Sequence, residues 1–167
     1  MSSLISTNDV GEHLFGVITS DRVGCVNDRR VRPKGSNMPL VRIDISKDAS
    51  ADLIRIVGDV VYDAMVEIAN VPQHDKFQIV TRHAPEELVC PAKGYLGTKY
   101  SPGIIFIQVT WVGGRSTDVK KRFYQKIADG IHAKGKVRKQ DIFISLVDSG
   151  REDWSFGNGE MQYAPPK

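Results

Sequence analysis

The chain has little cysteine. Cys25 and Cys90 are the only two in 167 residues, and they stand far apart. Their spacing matches no metal or redox pair, so two reduced thiols in a cytoplasmic protein are expected. Histidine is also sparse: His13, His74, His83 and His132 show no metal-ligand spacing. Long apolar runs are missing. None approaches the ~20 residues of a membrane-crossing helix, and the N-terminus lacks the basic-then-apolar order of a secretory signal. Neither charge sign dominates. A formal net charge of +3, evenly spread, excludes the dense basic face of a nucleic-acid binder. With 41% hydrophobic and 26% charged residues, what remains is one soluble globular domain with a sizeable core.

The first informative stretch is Met38-Pro39-Leu40-Val41-Arg42-Ile43-Asp44-Ile45. Val41, Ile43 and Ile45 alternate with Leu40, Arg42 and Asp44, which predicts a strand with one apolar face. Pro39 has two readings. As an internal residue its nitrogen is an amide, with neither basicity nor N–H, and it simply opens a strand. If Met38 is the true start and is removed, Pro39 carries a free secondary amine. An α-amino group titrates near pH ~7.7–8.0, within reach of acid–base or nucleophilic work at neutrality.

Before this stretch, residues 1–37 have scattered apolar positions apart from Leu14-Phe15-Gly16-Val17-Ile18. They end in the polar, basic, turn-rich run Asp28–Asn37, which reads as a linker or flexible arm. With five basic residues among four acidic ones, this arm has no nucleic-acid signature. It reads equally as sequence translated from upstream of the real start.

After it, Asp48 or Ser50 can cap a helix. Leu53, Val57, Val60, Val61, Ala64 and Ile68 recur at helical steps and predict an amphipathic helix ending near Asn70. Phe77–Thr81 is a second strand. Residues 83–103, with their prolines and glycines, read as a loop with a short hairpin around Leu88-Val89-Cys90. The pattern then repeats. Ile104–Thr110 is a nearly continuous apolar strand, Gly113-Gly114-Arg115 turns the chain and Ser116 can cap a helix. Val119, Phe123, Ile127 and Ile131 share a helical face, Gly135 is a stop, and Ile142–Val147 is the fourth strand. Each strand–helix–strand unit needs parallel strands and a right-handed crossover. Two helices cover one sheet face, leaving the other face and the edges for other subunits. In the tail, Trp154, Phe156 and Tyr163 stand among glycines, which suggests a small hairpin packing its aromatics onto a surface.

Together these residues resemble the tautomerase superfamily, over Pro39 to about Tyr163. Pro39–Asp44 is similar to that family's opening strand, and Gly114-Arg115-Ser116 to the start of its second helix. Asp153-Trp154-Ser155-Phe156-Gly157, with Gln162-Tyr163 and the segment Val71–Val80, is similar to the malonate semialdehyde decarboxylase branch. The resemblance implies an α/β fold: tandem β-α-β units forming a mixed four-stranded sheet with two helices on one face, plus the short C-terminal hairpin. It implies a tautomerase-like domain over 38–167, preceded by an extension over 1–37. It implies a cofactor-independent cytoplasmic enzyme, a homotrimer, that decarboxylates a small 3-oxo acid or tautomerises a 2-oxo acid or its enol.

By the same resemblance, Pro39, Asp75 and Arg115 are the catalytic candidates. Arg115, Trp154, Phe156 and Tyr163 are the candidates for binding a small carboxylate substrate. The amine would polarise a carbonyl or form an iminium with it. Asp75 would hold that amine charged, Arg115 would fork onto the carboxylate, and the aromatics would form an apolar wall. One departure stands out: a member of that branch carries a second arginine two residues before the position of Arg115, where this chain has Gly113. Arg42 and Arg82 are the candidate substitutes. The rival reading is a non-catalytic assembly or binding member in which Pro39 stays internal.

Overall fold

The computed structural model describes residues 38–163. The arm expected over 1–37, with Cys25 and His13, lies outside them. The element order is β1 (Leu40–Ser46), α1 (Ala51–Glu67), β2 (Phe77–His83), β3 (Ile105–Val112), α2 (Thr117–Gly135) and β4 (Ile142–Ser149). Single 3₁₀ turns stand at Pro85–Glu87, Lys139–Asp141 and Arg151–Asp153. The sheet order is β2-β1-β3-β4. β1 and β2 are parallel, β3 and β4 are parallel, and β1 meets β3 antiparallel. Two β-α-β units thus join through their first strands into one mixed sheet.

The alternation in β1 explains which face is covered. Val41, Ile43 and Ile45 are buried with Ile105, Ile107, Val109 and Trp111 of β3. Over them lie Val57, Val61 and Ala64 of α1, and Phe123, Ile127 and Ile131 of α2. Removing each of the valine, isoleucine and phenylalanine side chains from water contributes ~1.5–3 kcal/mol. The two helices approach closely at Gly130, where an added Cβ would come within 2.7 Å of Val60 Cγ1. The opposite face of the sheet stays open: Phe77, Ile79, Phe143 and Val147 are 49%, 45%, 41% and 37% exposed.

Local signals behave as their chemistry requires. Ser50 caps α1 by accepting from Leu53 N–H at 3.1 Å, and Ser116 caps α2 by accepting from Val119 N–H at 3.4 Å. Gly135 is the last residue of α2, and Lys136 closes it in the left-handed region, φ 57°. Three expectations need correction. α1 ends at Glu67 rather than near Asn70. Asn70 takes φ 53° and Val71 N–H returns to the Met65 carbonyl at 3.1 Å, a left-handed turn that closes the helix end ahead of Pro72. The 83–103 loop pairs only at Tyr95 and Thr98, not at residues 88–90. Among the described residues the tail forms no hairpin. Asn158 and Gly159, both at positive φ, form a tight turn closed by Glu160 N–H to the Gly157 carbonyl at 3.2 Å, but the residues on either side of it pair in no ladder.

Candidate active site

The topology decides what meets. β1 and β2 are parallel, so their starts share one end of the sheet. β3 is antiparallel to β1, and β4 parallel to β3, so both finish at that same end. Four segments therefore converge there: Pro39 before β1, the Asp75 loop before β2, the Arg115 loop after β3, and the aromatic tail after β4.

Pro39 is buried. Leu40 pairs with Phe77 on one side and Thr110 on the other. Continuing the two registers sets Pro39 across from Trp111, and Met38 across from Asp75. A cavity of about 480 Å³ opens at this end, lined by Met38, Pro39, Leu40, Phe77, Trp154 and Phe156 among others. Tyr163 adjoins it, because its hydroxyl accepts from Met38 N–H at 3.2 Å. Asp75 and Arg115 do not line the cavity in this form of the chain.

The aromatic wall is held by side chains instead of a hairpin. Trp154 Nε1 donates to Ser149 Oγ at 2.8 Å, and that hydroxyl donates to the Trp111 carbonyl at 3.0 Å. The Trp154 and Phe156 rings stack at 5.7 Å, and Phe156 meets Tyr163 edge-on at 4.9 Å. Gln162 pins the turn by accepting from Phe156 N–H at 2.9 Å and donating to the Gly157 carbonyl at 3.0 Å.

Arg115 is a clasp as well as a cation. Nη1 donates to the Val112 carbonyl at 2.8 Å, and Nη2 to the Ala69 carbonyl at 3.2 Å. Its guanidinium lies 4.1 Å from the centre of the Trp111 ring. The early stop of α1 is what frees the Ala69 carbonyl for this bond. Burial pushes the Arg115 pKa down, partly opposed by the charge of Asp148. A guanidinium stays protonated in proteins regardless.

Among the described residues, two buried side-chain polar atoms have no hydrogen-bond partner: Asp75 Oδ2 and Arg115 Nε. One is an acceptor and the other a donor, and they come from the two loops that flank Pro39.

Neither substitute for a second arginine is at this end in a usable form. Arg82 lies toward the far end of the sheet, opposite Ile45, and its Nη1 is bonded to the Lys47 carbonyl at 2.9 Å. Arg42 Nε is 3.3 Å from Asp44 Oδ2, two residues into β1. The space beside Gly113 is taken: a Cβ there would stand 3.2 Å from Asp148 Cβ. Asp148 accepts from Trp111 Nε1 at 2.6 Å and Lys120 Nζ at 2.7 Å. These bonds, Lys120's first, draw its pKa down. Sequence reasoning missed Trp111, Asp148 and Lys120. Trp111 had one available signal, its place on the buried alternation of β3 just before the Gly113-Gly114-Arg115 turn.

A second cavity of about 490 Å³ lies on the open sheet face, lined by Asp44, His83, Glu87, Phe106, Gln108 and Phe143 among others. It contains none of the candidate residues. His83 Nε2 is 2.7 Å from Asp44 Oδ1 there. Among the described residues, no group of three or more His, Cys, Asp or Glu could hold a metal ion, and no helix is long and apolar enough to cross a membrane.

The fold and this convergence of segments match known proteins. A family model described as "Tautomerase enzyme" matches residues 75–157. Probable tautomerase YusQ of Bacillus subtilis (strain 168) is 35% identical over 125 residues, 75% of this chain and 98% of that protein. The crystal structure of FG41 malonate semialdehyde decarboxylase inhibited by 3-bromopropiolate superposes with a TM-score of 0.68 at 37% identity, covering 74% of this chain and 93% of that one. A further malonate semialdehyde decarboxylase structure gives 0.67 at 28% identity, over 74% and 95%. The chain belongs to the tautomerase superfamily, in its malonate semialdehyde decarboxylase-like branch.

Proposed function

We propose that the working protein begins at Pro39 and uses that residue's secondary amine to decarboxylate a small 3-oxo acid such as malonate semialdehyde, or to tautomerise a 2-oxo acid or its enol. The observation that carries this reading is the pair of unpartnered buried atoms, Asp75 Oδ2 and Arg115 Nε. Each such atom costs ~1–3 kcal/mol, and folded chains rarely keep one without reason. An ammonium on Pro39 suits the acceptor. A substrate carboxylate suits the donor, together with the N–H groups that Arg115 does not give to the two carbonyls. A 3-oxo acid bound between them would have its carbonyl beside the amine. When the carbon–carbon bond to the carboxylate breaks, the electron pair moves into that carbonyl, held by a hydrogen bond or an iminium, and carbon dioxide leaves. The apolar wall of Trp154 and Phe156 disfavours the localised carboxylate charge relative to the spread charge of the transition state. In tautomerisation the neutral amine instead carries a proton between carbon and oxygen. No cofactor enters either scheme. We propose also that the protein works as a cytoplasmic homotrimer, because the open sheet face leaves large apolar side chains in water.

A second reading, a non-catalytic binding or assembly member, has one observation in its favour. Met38 N–H is held by the Tyr163 hydroxyl, so the residue before Pro39 is docked at the cavity, and Pro39 carries an amide.

Two forms of the chain separate the readings: residues 1–167, and residues 38–167 started at Met38. The shorter is close to the full extent of YusQ, which matches this chain over 98% of its own length. It should be active, with the mass of a chain beginning at Pro39. The uncleaved long form should be nearly inert. The inhibitor 3-bromopropiolate should label Pro39 in the short form alone. Equal activity in an uncleaved long form would overturn the mechanism and favour the second reading.

A further inference from the structure

Asp75 sits in a loop whose two neighbouring residues are tied to α1. His74 N–H donates to the Tyr62 hydroxyl at 2.8 Å. Lys76 Nζ bonds Asp59 Oδ1 at 2.9 Å and lies 5.3 Å from the centre of the Tyr62 ring. Tyr62 is half-buried against the core, so its hydroxyl has a fixed position. His74 takes φ 77°, a left-handed conformation that a residue with a Cβ holds only when its surroundings impose it. Between these ties, Asp75 N–H closes a turn to the Pro72 carbonyl at 3.3 Å, and its side chain buries an unpartnered oxygen. An unpartnered carboxylate oxygen is drawn toward water. The loop must therefore be held against that tendency, and the ties from residues 74 and 76 act on both sides of it.

We propose that Tyr62 is a positioning residue: with the Asp59–Lys76 pair it locks the 72–76 loop so that the Asp75 carboxylate stays turned inward. That this carboxylate serves turnover rests on the function proposed above; the lock itself does not.

The test uses the full chain and Tyr62→Phe, which keeps the ring and removes the hydroxyl. Hydrogen exchange at His74, Asp75 and Lys76 should quicken by about threefold to tenfold, the loss of one hydrogen bond, while the sheet amides keep their protection. A crystal structure of the variant should show the Asp75 carboxylate turned to solvent. Unchanged exchange with Asp75 still inward would overturn the proposal. Lys76→Met, which breaks the other tie without touching the core, should show the same signature in weaker form. Turnover is read separately, on the form of the protein that has it. There Tyr62→Phe should lower kcat by roughly three- to tenfold with little change in KM, and should add nothing in an Asp75→Asn background. An equal further loss in that background would show that Tyr62 acts by another route. Absence of turnover in the unmutated protein would defeat the proposed function while leaving exchange and the Asp75 orientation to decide the lock.

Discussion

Arg115→Ala should damage stability and activity together, by amounts that the structure separates. The guanidinium donates to the Val112 and Ala69 carbonyls and stacks on Trp111. Truncation removes both bonds. The residue is only half-buried, so water can reach part of the gap, and we take ~1 kcal/mol for each bond, near the low end of the range for stranded groups. The lost stacking on Trp111 adds ~0.5–1 kcal/mol. The sum is ~2.5–3 kcal/mol. At roughly 4 °C per kcal/mol for a domain of this size, Tm should fall by about 10–12 °C. Calorimetry measures this directly. Kinetics, run well below the variant's Tm, read the other role. Loss of a charge-assisted bond to a substrate carboxylate of ~1.5–3 kcal/mol lowers kcat/KM about ten- to a hundredfold, chiefly by raising KM. Arg115→Lys should recover part of the binding, because it keeps the charge, and less of the stability, because an ammonium cannot span two carbonyls on different elements in the guanidinium's flat geometry. A Tm unchanged in Arg115→Ala refutes the clasp. Unchanged kinetics with a lowered Tm would make Arg115 purely structural.

Trp154→Ala and Phe156→Ala should reduce carbon dioxide release from malonate semialdehyde more than ketonisation of phenylenolpyruvate; equal losses would mean the wall only packs. Light scattering at micromolar concentration should give three times the chain mass, and a monomer mass would sink the trimer. Asp148 has its pKa drawn below the ordinary 3.8 by Lys120 first and Trp111 second. A lowered carboxylate pKa gives stability that is present above the unfolded value and disappears as pH falls through the folded one. Asp148→Asn should therefore lower Tm at pH 7, and the gap to the unmutated protein should narrow from about pH 4 downward. The side chain is 43% exposed, so the gap should correspond to at most ~1 kcal/mol. A gap that does not change with pH would remove the charge from the explanation.

What the linear chain determined was everything that depends on near neighbours. The alternation of Val41, Ile43 and Ile45, the helical spacing of Phe123, Ile127 and Ile131, and the serine caps depend on backbone periodicities that reach only a few residues, and all appear where expected; Val119, on the same helical face, is only partly buried and outside the core. The parallel pairing within each β-α-β unit follows from connection length. Where local chemistry offered a choice, reading failed at the margins. α1 stopped early, with Asn70 in a left-handed turn, and the tail turned at 157–160 with no paired strands on either side of the turn. The convergence of Pro39, Asp75, Arg115 and Trp154 depended on the antiparallel meeting of β1 with β3, a long-range pairing with no local signature. The second role of Arg115 was likewise invisible, because its partner carbonyl, Ala69, lies in the turn after α1, 46 residues away. The anchoring of His74 by Tyr62 joins a helix face to the loop before the next strand, and only the folded backbone brings a hydroxyl and a peptide N–H of that separation together.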